Sequence, residues 1–142
     1  MKKEIRIKVW KKYDCKCAYC GEDLEYEKMQ VDHIEPKYLG GKDNIENYNP
    51  SCRQCNFYKG TFSIDGFKEQ LATITERIKK PFIVRLAIKY GIISFKPFDG
   101  KFYYEKLAKQ LILPDVSVPK GTFVCQECEN NTKYKSERHN GA

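Results

Sequence analysis

Apolar positions change rhythm several times along the chain. In residues 3–13, Ile5, Ile7 and Val9 alternate as in a strand, while Ile5, Val9, Trp10 and Tyr13 fall on one side of a helix. The spacing predicts a short helix there. A short strand is expected over residues 29–32, then a loop carrying Pro36 and Gly40-Gly41, then a helix that opens near Cys52 and stops at Gly60. From Ser63 the period is helical. Ser63 suits the N-cap, Asp65 the first turn, and Ile64, Phe67, Leu71, Ile74 and Ile78 trace one face. Lys79 and Lys80 fit its last turn, Pro81 ends it, and a second helix takes residues 82–90 before Gly91. Residues 92–95 and 101–104 read as a hairpin turning near Asp99-Gly100, with Pro97 confining its first strand to an edge. From about Leu113 the chain turns polar and is expected not to pack.

A chain of 142 residues with 41% hydrophobic and 13% aromatic content can bury one modest core. No run approaches the ~20 apolar residues of a membrane span. The start MKKEIRIKVWKK is basic without the apolar stretch of a secretory signal, so the expected location is the cytoplasm. Charge adds a hint about partners. Lys and Arg number 26 against 19 acids, a net of +7, and seven of the 26 lie in the first 16 residues. Such a block can meet phosphates, and a solvated helix face explains it equally well.

Cysteine changes the picture more. Three C-x2-C pairs occur, Cys17/Cys20, Cys52/Cys55 and Cys125/Cys128, where chance placement gives about 0.3 of a pair. In a reducing compartment paired thiols hold metal rather than disulfides. Two such knuckles about thirty residues apart supply the four soft ligands of a tetrahedral zinc site, so Cys17, Cys20, Cys52 and Cys55 are expected to bind structural Zn2+. Gly21, closing CAYCG, permits the turn that brings amides to the thiolates. A lone redox C-x-x-C would need a preceding strand and a long following helix. The third pair has only His139 and Cys15 as spare soft ligands, so an unliganded or inter-chain pair is expected there ahead of a second zinc site.

The remaining chemistry lies between the two knuckles: Asp32-His33 after the strand, Asn47 before the second knuckle, and Asn56 directly after it. Taken singly, each has an ordinary explanation as a turn former, a loop former or a surface residue. Together, CAYCG…VDHIEP…GGKDNIENYNPSCRQCNFYKG resembles an HNH endonuclease of the small kind carried by phages and mobile elements. FKEQL…FIVRLAIKYGII…FYYE resembles the helix-helix-hairpin extension of many such nucleases, so the likeness covers roughly residues 3–105.

The resemblance implies an α+β fold, a small zinc-stabilised ββα-metal (treble-clef) core with a helix-helix-hairpin extension. The divisions expected are an HNH core over residues 1–60, the extension over 61–112, and a flexible tail over 113–142. It implies phosphodiester hydrolysis of duplex DNA to 3′-hydroxyl and 5′-phosphate ends. His33 would act as general base with its ring oriented by Asn47, and Asp32 and Asn56 would hold one divalent cation. The family often has His where this chain has Asn56, and an amide oxygen shifts the preference toward Mg2+ or Mn2+. Arg53, Lys59, Lys79, Lys80 and Arg85 are the expected phosphate contacts. Other phage or mobile-element proteins are expected partners, in a bacterial host if the gene is phage-borne. The competing reading is a zinc-stabilised DNA-binding, regulatory or packaging module without catalysis.

One geometric condition follows. Neighbours on a regular strand face opposite ways, so Asp32 and His33 can share a site only at a strand end or bulge. On the following helix, Cys55 and Asn56 lie about 100° apart, which lets one face the structural metal and the other the catalytic one.

Overall fold

The knuckle at residues 17–21 is the point to which the other elements are tied in the computed structural model, which describes residues 2–110. Cys17 N–H donates to Glu22 O at 2.8 Å and Gly21 N–H to Cys17 O at 2.9 Å, with Gly21 at φ +81°. Ala18 N–H reaches Pro50 O at 2.9 Å, while Ala18 O and Tyr19 O accept from Tyr104 and Tyr103 N–H at 3.0 and 3.1 Å. The knuckle thus joins a sheet strand on one side to a distant helix on the other.

Helix α1 (Lys3–Lys11) resolves the ambiguous N-terminal period in favour of a helix. Its Val9 and Trp10 are buried, and the Trp10 indole donates to Leu24 O at 2.7 Å. The Arg6 guanidinium donates to Met29 O at 2.6 Å and Lys12 Nζ to Tyr48 O at 2.8 Å. Part of the N-terminal basic block is therefore structural, since these cations satisfy carbonyls of the core.

Strand β1 (Gln30–His33) pairs antiparallel with β2 (Tyr48–Ser51), in the register Val31↔Pro50, Asp32↔Asn49, His33↔Tyr48. The resemblance's ββα core calls for a second strand, but the residue pattern does not mark it, because Asn and Pro are poor strand formers. It forms because a two-stranded sheet has only edges, so the missing N–H of Pro50 costs no ladder bond that a third strand would need. Burial of all four of its residues supplies the stabilisation. Helix α2 (Arg53–Lys59) follows at once. The Cys52 sulfur caps it by accepting from Cys55 N–H at 3.3 Å, and Gly60 ends it. The result is a ββα unit.

Between the strands, residues 34–47 form two 3-10 turns, Lys37–Leu39 and Ile45–Asn47. Gly40 adopts φ +95°, and a Cβ on Gly41 would sit 1.8 Å from Glu35 O. The first glycine supplies the left-handed turn and the second lets the loop close on its own backbone.

The second half departs from expectation in two places. One continuous helix was expected from Ser63 to Lys80, but the chain forms α3 (Ile64–Ala72) and α4 (Ile74–Ile78). Thr73 divides them, its hydroxyl turned back onto Glu69 O and Gln70 O, both at 3.2 Å, the back-bonding that disturbs a helix. Helix α5 (Phe82–Lys89) ends as expected before Gly91. The hairpin is absent. Residues 92–102 contain no strand, and α6 (Tyr103–Gln110) begins where the second strand was expected. Asp99 Oδ1 accepts from Lys101 N–H at 3.1 Å, and Glu105 Oε2 accepts from Phe102 N–H at 2.8 Å, starting a helix instead.

Phe102 and Phe67 are each 1% exposed and stack at 5.0 Å, both edge-on to Tyr19. α3 and α6 therefore complete the same core that the knuckle begins. Among the described residues no helix is long and apolar enough to cross a membrane. Cys125, Cys128, His139 and the proposed tail lie outside the described residues.

Candidate active site and metal centre

Cys17 and Cys20 from the first knuckle meet Cys52 and Cys55 from the N-terminus of α2, with all four sulfurs within 4.8 Å of one another. The Cys20 and Cys52 sulfurs are 4.0 Å apart. A tetrahedral ion with bonds of about 2.3 Å needs sulfurs roughly 3.8 Å apart, so the group has the dimensions of a metal centre. Side-chain hydrogen bonds from Cys20 and Cys55 hold the Cys17 thiol far below its ordinary value. Burial pushes Cys52 up to about 12, and hydrogen bonding to Cys17 and Cys20 raises Cys55. The Cys52 amide also donates to the Cys17 sulfur at 3.4 Å. Held as thiolates, four sulfurs gathered this closely need a cation to offset their repulsion, and sulfur donors in this number select zinc or iron.

β1 places Asp32 and His33 on opposite faces, as the pleat requires. Asp32 is 6% exposed. Its carboxylate accepts from the Tyr19 hydroxyl and lies 3.0 Å from Lys59 Nζ, which also donates to His33 O at 2.7 Å. Burial raises the Asp32 carboxyl, opposed by Tyr19 and Lys59, while burial and Asp32 raise the Tyr19 phenol far above its ordinary range. Lys59, expected to contact a phosphate, is 0% exposed and turned inward. It is the counter-ion of Asp32, and that role corrects the expectation.

His33 is the last residue of β1. It packs edge-on against Tyr48 at 5.1 Å, and its Nε2 lies 2.7 Å from Asp43 Oδ1. Asn47 does not orient the ring as expected. Its amide pins the loop, with Oδ1 accepting from Glu35 N–H at 2.8 Å and Nδ2 donating to Glu35 O and Lys42 O, both at 3.0 Å. Asp43 was missed by sequence reading because an aspartate in a Gly-rich loop is usually a turn former. Its spacing ten residues after His33 carries no local signal.

A hollow of about 370 Å³ is lined by Asp32, His33, Lys37, Tyr38, Asn56 and Gly60, among others. The condition that Asp32 and His33 meet only at a strand end is met here. Asn56 is half-buried, and its side-chain amide has no hydrogen bond among the described residues. A larger hollow of about 700 Å³ lies against His33, Lys37, Asp43 and Tyr48.

The remaining expected phosphate contacts are scattered. Arg53 is exposed but shares a hollow with Glu22, Asp23 and Glu25, an acidic setting. Lys79 pairs with Glu76 at 3.1 Å, Lys80 is exposed, and Arg85 is exposed with its guanidinium 6.0 Å from the Phe82 ring centroid. Arg77, another basic residue of this arm, ties α4 to α2 by donating to the Tyr58 hydroxyl.

Part of the chain is similar to known proteins. Residues 17–62 match the family model for HNH endonuclease. Over 64 residues the chain is 34% identical to a CRISPR-associated endonuclease Cas9 of Corynebacterium diphtheriae, a match covering 41% of this chain and 6% of that protein. The crystal structure of the Type II-C Cas9 enzyme from Actinomyces naeslundii aligns over 46% of this chain and 8% of that one, at 26% identity and a TM-score of 0.42. The chain thus spans a small fraction of these relatives. The stretch that builds the knuckles, the sheet and α2 is the part that matches the HNH endonuclease family.

Proposed function

We propose that this chain is a divalent-metal-dependent DNA endonuclease that hydrolyses phosphodiester bonds with His33 as general base. The observation that carries the reading is the convergence of Asp32, His33 and Asn56, from β1 and α2, on one hollow. The four-cysteine centre takes zinc and fixes the relation of the knuckle to α2. Asp32 and Asn56 offer hard oxygen donors suited to Mg2+ or Mn2+, and Asn56 has its amide free for the purpose. Bound there, such an ion would stabilise charge developing on the phosphate and the leaving oxygen.

The chain's own residues do the rest. His33 in its neutral form accepts a proton from the attacking water. Asn47 closes the loop that frames the ring, and Tyr48 limits its rotation. Lys80 and Arg85, exposed near the start of α5, are the available phosphate contacts, with Lys79 shared between Glu76 and solvent.

The non-catalytic reading has one observation in its favour: the Asp32 carboxylate is already engaged by Tyr19 and Lys59. Plasmid nicking with and without Mg2+ separates the two. The active protein nicks only with the ion, and His33→Ala slows it by about 10²–10⁴-fold with zinc content and DNA affinity unchanged. Absence of Mg2+-dependent nicking by zinc-loaded protein rejects the enzyme reading.

A further inference from the structure

We propose that Asp43 is the positioning residue of His33, holding the ring as the Nε2–H tautomer and leaving Nδ1 as the nitrogen that accepts a proton. The inference rests on His33 being the general base. Asp43 Oδ1 lies 2.7 Å from His33 Nε2. An ionised carboxylate only accepts hydrogen bonds, so the nitrogen facing it must donate, and a neutral ring then has its lone pair on the other nitrogen.

Asp43 is itself held from two further directions. Lys37 Nζ lies 2.7 Å from Oδ2, and the Tyr48 hydroxyl donates to Oδ1 at 3.1 Å. With its side chain 57% exposed, Asp43 is fixed by these contacts rather than by burial. The Lys37 ammonium, then His33, keeps its carboxyl well below the usual carboxylate range. The Asn47 amide, bonded to the carbonyl of Lys42, fixes the backbone immediately before it. Asn47 thus acts on the ring at one remove, by placing Asp43.

The two hollows give the arrangement a direction. Asp43 lines the larger hollow together with His33 and Tyr48, whereas the smaller hollow brings His33 to Asp32 and Asn56 without Asp43. Nε2 is therefore committed to a residue that does not line the hollow proposed for the catalytic ion. Outer partners of this kind typically carry about 10–100-fold in activity.

The test is side-chain nitrogen NMR on the zinc-loaded full chain, at a pH where His33 is neutral, with His139→Gln assigning the two rings. Wild type should show His33 protonated on Nε2. Asp43→Ala should give mixed tautomers and a kcat about 10–100-fold lower, with KM and zinc content within about twofold. Asp43→Asn, closer in shape, should also lose the single tautomer, and Asp43→Glu should recover part of both effects. A wild-type ring protonated on Nδ1, or an unchanged tautomer in Asp43→Ala, overturns the proposal. If the tautomer moves but His33→Ala cleaves at the wild-type rate, the hold of Asp43 on the ring is upheld and the general-base reading is what fails.

Discussion

The stretch from Cys17 to Gly60 and the arm formed by α4 and α5 differ in what fixes their side chains. In the first, polar groups are placed by specific partners: sulfurs by one another, Asp32 by Tyr19 and Lys59, His33 by Asp43, and the loop by Asn47. Apolar burial alone would tolerate slippage there, because the sheet is only two short strands. In the arm, α5 has no buried residue, and Phe82 and Ile83 are 68% and 67% exposed. Amphipathic patterning is thus enough to make a helix, but it does not place one. The side chains whose positions chemistry needs are those under several directional constraints at once.

The largest test of that contrast removes the metal centre. Cys52→Ala, or a strong chelator, should unfold residues 15–60, since structural zinc supplies on the order of 10–16 kcal/mol in small zinc peptides. Zinc by elemental analysis and amide exchange across β1 and β2 report it. Burial pushes the Cys52 thiol up to about 12, and a proton on it competes with the ion. Zinc affinity should therefore rise with pH and fall on acidification. A fold that survives chelation unchanged would show that the sheet does not depend on the ion.

How much of this was legible in sequence tracks the same division. The four cysteines, the capped helix between Cys52 and Gly60, and the Asp32-His33 pair at a strand end were readable, because spacing and residue type carry their chemistry locally. β2 was implied only by the family resemblance and not by its own residues, because Asn49 and Pro50 hide a strand that exists through burial and Ala18. The false hairpin at residues 92–104 arose because Asp99-Gly100 signals a turn in either context. What decided for α6 was Phe102 entering the Tyr19 cluster, a contact more than eighty residues apart. Asp43 and Lys59 share that blindness. Their roles follow from three-dimensional partners, and a buried lysine looks like any basic residue in a string.

Lys59 offers the next largest effect. Replacing it with Met leaves the carboxylate of Asp32 buried and uncompensated, which should cost about 3–5 kcal/mol in urea unfolding. Millimolar Mg2+ should restore part of the loss if Asp32 is an ion ligand, because the dication then supplies the missing charge. Lys79→Met removes the exposed pair with Glu76 and should cost less than about 1 kcal/mol, with no Mg2+ effect. Equal costs at the two sites would erase the distinction between them.

DNA affinity probes the arm from its basic side. Each lost phosphate contact lowers the slope of log K against log salt by about 0.9, so Lys79→Ala with Lys80→Ala should lower it by at most about two. Arg53→Ala, beside Glu22, Asp23 and Glu25, should leave the slope unchanged. If Arg53 carries the slope and the pair on the arm does not, DNA lies along the knuckle side of α2.

The smallest expected effect concerns the apolar side of α5. Phe82→Ser and Ile83→Ser alter side chains that are mostly solvated, and the Arg85 guanidinium 6.0 Å from the Phe82 ring adds little at an exposed site. Exposed substitutions without structural partners usually fall within about 0.5 kcal/mol, so thermal unfolding should barely move. Leu86→Ser is the internal control. Leu86 is half-buried on the same helix, and a polar hydroxyl in place of its partly buried side chain should cost about 1 kcal/mol or more. A loss at Phe82 as large as at Leu86 would mean that the exposed face is covered in solution, and the arm would then be placed by packing after all.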